Sequence, residues 1–438
     1  MIESLNIKNY LSFKEEQVIS FIASREKGNN PSEQENWFTQ IGDTKLLKIL
    51  IFIGNNGAGK TNALSAMGYL RHVAIDRFKD IEEKPDFEPF MLDDNSRKKP
   101  SELSIVYYID EQKFSYHISV CKDYIVEESL ILHDGRKTAS VYKRSYDKEH
   151  TNISFGNACD LSVEDKRSLI VNTISNSSVL ATFGSMNLTS TVLRSNYLYF
   201  RNEINMVSEP GFNPIDLLSD VKSLNDPEAK KVILKLLSSV DAKISDYEVK
   251  EHMFDLPRNF FEEAPHSVIE KFRKENPDGK FHQNELTFEH HTSRGDYPIN
   301  FSMESRGTIS MIRMIILIYD MIKNRRSSFI DEFSYSVHQL TMNLLMRMFL
   351  ALSTKSQIVI TTQSIAILLN RALRRDSIRI CQKSEDGETQ IQPINQSEVH
   401  KNKNLFKVYL DNDLEGLPFV EDKFDFDEFI RNIKDDLK

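Results

Sequence analysis

Apolar positions along the chain follow three patterns, and each predicts an element. In "LLKILIFI" (46–53) they occupy both faces, as a strand buried on both sides does. In "NALSAMGYLRHVAIDRF" they return every three to four residues, placing Leu64, Met67, Leu70, Ala74 and Phe78 on one helical face. "SELSIVYYIDEQKFSYHISVCKDYIVEESLILHDG" alternates, with turns at Asp110–Gln112, Lys122–Asp123 and Asp134–Gly135, and predicts an antiparallel ribbon. Further on, "DPEAKKVILKLLSSVDAKI" is an amphipathic helix through Val232, Ile233, Leu236, Leu237 and Val240. "ISMIRMIILIYDMI" is apolar almost all round, the pattern of a buried helix. "HQLTMNLLMRMFLALS" predicts a helix with Leu340, Leu344, Met348 and Leu352 on one face, and "QIVITTQS" a strand and turn. Strands alternating with helices predict an α/β sheet with its ligand at the carboxyl ends of the strands. No heptad run of coiled-coil length is present, and residues of about 206 to 300 read as a short, mostly helical insertion.

Composition narrows the class. The chain has 438 residues, 40% of them hydrophobic, enough for one large core or two smaller ones. Its net charge of −9 gives no support to a protein held mainly by nucleic-acid phosphates, although a local basic groove stays open. Cys121, Cys159 and Cys381 match no metal or redox spacing and read as reduced thiols. "MIESLNIKNY" has an early acid and no apolar core, so it is no signal peptide. The longest apolar stretch is interrupted by Arg313 and Asp320 and is too short for a bilayer. The expectation is a soluble, cytoplasmic protein with no membrane partner. Glu289–His291 invites a metal assignment, but adjacent residues of an extended segment point to opposite faces.

The chemistry concentrates at "GNNGAGKT". Gly54, Gly59, Lys60 and Thr61 fit G-x-x-x-x-G-K-[ST], between a predicted strand and a predicted helix. Glycines let successive N–H groups turn inward around phosphates. Lys60 would reach the β- and γ-phosphates, and the Thr61 hydroxyl would coordinate Mg²⁺. The helix that follows adds its positive end. Such a site takes a nucleotide with Mg²⁺ and draws on Gly54, Asn55, Asn56, Gly57, Ala58, Gly59, Lys60, Thr61 and Asn62.

A second constellation lies far along the chain. "SSFIDEF" places Asp331 and Glu332 after an apolar segment, where one acid can hold Mg²⁺ and its neighbour can activate water. Ser305, Arg306, Gly307 and Thr308 precede the buried helix; they are either an N-cap or free N–H groups that meet an anion. Gln363 closes the strand "QIVITT".

In this order "GNNGAGKT", "SMESRGT", "FIDEFSYSVH" and "ITTQS" resemble the ABC-type ATPase heads of the SMC and RecF-like branch, and within it the small AAA-labelled ATPases of bacterial defence systems. The opening "IESLNIKNYLSFKEEQVISF" looks like the first hairpin of those heads. The resemblance covers 1–75 and 300–370. It implies an ABC-type P-loop NTPase head with an antiparallel β-ribbon lobe and a short helical insertion, divided as 1–205, 206–300 and 301–438. It implies that Gly54–Thr61 is the Walker A loop and that Asp331 is the Walker B acid holding Mg²⁺ with Thr61. It makes Glu332 the catalytic glutamate, Ser334–His338 the D-loop, and Ser305, Gly307 and Thr308 contacts to ATP on a second subunit. Two copies would sandwich two ATP molecules head to tail, and a separate effector, nuclease or toxin would answer to them. Gln363 stands where the family has a switch histidine, and the Q-loop glutamine is not located between 76 and 205. Alternatives are a RecF-like clamp on duplex DNA, and a self-sufficient OLD-like nuclease with Asp411 and Asp413 as its acids. The acidic, aromatic "FVEDKFDFDEFI" is a docking segment or a last helix.

Overall fold

The computed structural model describes residues 1–24, 35–85, 87–207, 224, 226–240, 243–255, 269, 272, 276, 278–332, 339–369, 373–394 and 405–410. The D-loop stretch Ser334–His338, Asp411, Asp413 and the acidic tail lie outside them. The chain divides into two compact units, 1–202 with 359–438, and 203–358.

The first unit contains two principal sheets. One has seven strands in the order Thr151–Phe155, Lys137–Tyr146, Ile125–Asp134, Gln112–Val120, Ser101–Ile109, Ile2–Lys8, Gln17–Ser20, all antiparallel. This is the expected ribbon joined to the expected first hairpin. Alternation makes it. Along Ser101–Ile109, Leu103, Ile105 and Tyr107 are buried between less buried neighbours. Asp110 turns the chain with a positive φ of 53°.

The other sheet is built round Ile49–Gly54, whose six residues are all buried. On one side it pairs in parallel with Ile378–Lys383, placing Cys381 opposite Gly54. Ile378–Lys383 pairs antiparallel with Thr389–Pro393, and Gln357–Thr362 lies on the other side of Ile49–Gly54. Helix Lys60–Ile75 follows the glycine loop and buries Ala63, Leu64, Ala66, Met67, Leu70, Val73 and Ala74. Each large side chain among them is worth about 1.5 to 3 kcal/mol buried against exposed. Phe78, expected on that face, lies beyond the helix, because the chain turns extended at Asp76.

The second unit carries a parallel pair, Ile204–Val207 with Ser327–Ile330, and helices Pro227–Val240, Arg306–Asn324 and Gln339–Leu352. The expectation of a mostly helical insertion over 206–300 is corrected among the described residues. Besides one helix they form an antiparallel sheet of Ile244–Asp255, Lys280–Thr292 and Gly295–Asn300. The last six residues of Ile244–Asp255 are all exposed, so no core demanded the alternation that would have marked a strand. Helix Gln339–Leu352 also turns a different side inward. Met342, Leu345, Met346 and Phe349 are buried, whereas Leu352 is 50% exposed. A helix apolar on so many sides does not announce its inner face. Residues 301–358 group with 203–300 rather than with the rest of the C-terminal part.

Among the described residues, no helix is long and apolar enough to cross a membrane.

Candidate functional site

In the first unit the glycine loop joins strand Ile49–Gly54 to helix Lys60–Ile75, as the motif requires. A Cβ at Gly54 would collide with the Cys381 carbonyl of the neighbouring strand, which explains a glycine there. Burial pushes the Cys381 thiol up to about 12, so it stays neutral. Gly57 and Gly59 have φ of 77° and 93°, left-handed values that side chains resist. Gly59 is the N-cap and supplies no side-chain cap to the helix's first amides. A helix start without such a cap, reached through two left-handed glycines, fits a bound phosphate group.

Lys60 is the first helical residue and is only 7% exposed. Its Nζ donates to the carbonyls of Gly54 and Asn55, each at 2.8 Å. Asn55 and Asn56 are exposed, Ala58 is buried, and Thr61 presents an exposed position. The Asn62 side chain turns away to Ser12, donating from Nδ2 to Oγ at 2.7 Å.

Sequence reasoning missed two residues behind this loop. The Thr389 hydroxyl lies 2.7 Å from Ser12 Oγ and 3.0 Å from the Ala58 carbonyl. The hairpin Ile378–Pro393 that delivers Thr389 was readable, because Asp386-Gly387 sits between two alternating runs. Nothing local marks Ser12. Gln363, at the end of strand Gln357–Thr362, is exposed, and the next amide, Ser364 N–H, donates to Thr362 Oγ1 at 3.0 Å.

In the second unit Ser305 is the N-cap of helix Arg306–Asn324. Its Oγ accepts from the Thr308 amide at 3.1 Å and lies 2.9 Å from Thr308 Oγ1. Locally this is the N-cap alternative. Ser305 is exposed, with Gly307 and Thr308 half-buried. Asp331 and Glu332 follow the four buried residues of Ser327–Ile330, both half-exposed. The Asp331 amide donates to the Val207 carbonyl at 3.3 Å. Glu332 has a φ of 49°, rare for a residue with a side chain.

His290 and His291 engage separate carboxylates, Glu304 and Asp296, each at 2.6 Å. Among the described residues no group of three or more His, Cys, Asp or Glu could hold a metal ion. Thr61 in the first unit and Asp331 in the second each carry the kind of hard oxygen donor that Mg²⁺ takes.

The family model described as "AAA domain, putative AbiEii toxin, Type IV TA system" matches residues 49–370. No curated protein matches the chain. Among solved structures, the chain is similar to "SMC head domain from Thermotoga maritima", at 10% identity and TM-score 0.41, covering 90% of this chain and 99% of that one. It is also similar to "Crystal structure of the SmcHead bound to the C-winged helix domain of ScpA", at 12% identity and TM-score 0.44, covering 90% and 98%. A third is an Smc head with an extended coiled coil bound to the C-terminal domain of ScpA, from Pyrococcus furiosus, at 12% identity and TM-score 0.38, covering 90% and 96%.

Proposed function

The chain belongs to that AAA-domain family, and from this premise we propose that it binds and hydrolyses ATP, dimerises around it and controls a separate effector. The observation that carries the ATP reading is the glycine loop: a buried strand, two left-handed glycines, Lys60 and a helix start with no side-chain cap. Thr61 and Asp331 are the residues that would hold Mg²⁺, which would supply positive charge to the phosphates. Loop amides and Lys60 hold the phosphates. Glu332 takes the proton of the attacking water. Ser305, Gly307 and Thr308 meet the nucleotide of a second copy, and Gln363 senses its terminal phosphate. The family's description as a putative AbiEii toxin of a Type IV TA system supports a place in a toxin–antitoxin pair, and the separate effector and the anti-phage setting are our proposal. The net charge of −9 weighs against a DNA clamp.

The test is a mass measurement on Glu332→Gln with and without ATP and Mg²⁺, beside a binding assay with duplex DNA. The expected mass is that of one chain without nucleotide and of two with it. An unchanged mass overturns the ATP-held dimer, and nucleotide-dependent binding of duplex DNA would replace effector control with clamping.

A further inference from the structure

We propose that Ser12 and Thr389 are positioning residues for the phosphate loop, joined with Asn62 and Ala58 in one hydrogen-bonded relay. This rests on the reading of the loop as an ATP site. A hydroxyl has one proton and two lone pairs. The Ala58 carbonyl can only accept, so the Thr389 proton goes to it across 3.0 Å. Thr389 Oγ1 is placed to donate to Ser12 Oγ at 2.7 Å as well, but its one proton serves only one of the two, so both contacts form together only when Ser12 donates to Thr389. Ser12 in turn accepts from Asn62 Nδ2 at 2.7 Å. The relay therefore has one direction, from Asn62 through Ser12 and Thr389 to Ala58. It starts on the helix's first turn and ends on the loop before it.

Its position gives it a task. The carbonyl and the N–H of a trans peptide point in opposite directions. Anchoring the Ala58 carbonyl on Thr389 turns the Gly59 N–H away from Thr389, where a bound phosphate would need it. A carbonyl free to flip would instead bring its oxygen toward the anion. Thr389 and Ser12 also stand where a Cβ on Gly59 would be, so the relay and the glycine are parts of one fit. Both residues are held from behind. The Thr389 amide donates to the Ser12 carbonyl at 2.7 Å, the Glu15 amide to Glu388 Oε1 at 2.8 Å, and the Ile391 amide to Gln17 Oε1 at 2.9 Å.

Calorimetry and steady-state kinetics on the full chain test this, with ATP and Mg²⁺ as the probe. Ser12→Ala and Thr389→Val are each expected to weaken ATP binding about tenfold, the scale of one or two neutral hydrogen bonds. KM should rise while kcat at saturation stays within about twofold, and Thr389→Ser should restore affinity. Because the relay is one unit, the double variant should bind no worse than the weaker single one. Wild-type affinity in both single variants, or defects that multiply in the double variant, would overturn the relay. Amide exchange over residues 57–61 reads it without nucleotide. Faster exchange in Ser12→Ala and Thr389→Val is expected, and unchanged exchange sinks the proposal. If the parent chain binds no ATP, the site reading fails, and the exchange result still decides the relay.

Discussion

Lys60 rests on its own loop. Its ammonium is buried and donates to two backbone carbonyls, so a phosphate would meet a cation already in place. In Lys60→Ala the loss of charge-assisted contacts of about 1.5 to 3 kcal/mol each should weaken ATP binding by about a hundredfold or more. Titration calorimetry on the folded variant checks it, and unchanged affinity would remove the loop from the site. Glu332 combines a reactive group with a φ of 49°, and strain of that kind costs roughly 1 to 2 kcal/mol. Glu332→Gln keeps the shape without the base, and single-turnover phosphate release should slow by about 10² to 10⁴. Glu332→Gly should be as inactive yet melt no earlier than the parent, since glycine relieves the strain. An inactive variant that also melts several degrees lower would point to a supporting role. For Gln363, histidine would add a charged hydrogen bond where glutamine offers a neutral one, so Gln363→His should raise slow basal turnover about tenfold. Wild-type kinetics in Gln363→Ala would move the phosphate sensor elsewhere. Lys60 and its glycines were legible because the motif and its phosphate chemistry are local. Thr389 was not, because its role exists only once a distant hairpin lies against the loop.

Helix Arg306–Asn324 illustrates how one element can carry two meanings. Ser305 caps it, and loss of the cap alone costs about 1 kcal/mol. Ser305→Ala therefore reports the cap, while Ser305→Arg adds bulk where a second copy's nucleotide would lie. The arginine variant is expected to bind ATP nearly as the parent does but to hydrolyse none. Mixed with Lys60→Ala it should regain activity, because one composite site then escapes both defects. A mixture that stays inactive would argue against a site shared between copies. Elements with a demanding environment were the readable ones. Strand Ile49–Gly54, buried throughout, and the ribbon 101–134, with one face in the core, bear the patterns their surroundings impose. Ile244–Asp255 and Gln339–Leu352 lacked that constraint, one too exposed and the other too uniformly apolar, and the expectations erred on these.

At the scale of the whole molecule, charge distinguishes the readings. Each copy carries −9, so self-association works against a like-charge field that salt screens. The ATP-held dimer is expected to persist or tighten between about 50 and about 300 mM salt, in sedimentation with Glu332→Gln. A clamp on duplex DNA would weaken steeply over the same range. Topology brings a further consequence, one of timing. Ser12 and Thr389 meet across 377 residues of sequence. At roughly 5 to 20 residues per second, a ribosome needs about 20 to 75 s to travel between them. From the completion of residue 61 until Thr389 follows, the nascent chain displays the whole glycine-loop sequence without Thr389 behind it. Contacts of such sequence separation also form slowly. On the proposed relay, competence for nucleotide waits until Thr389 has been made and has met Ser12.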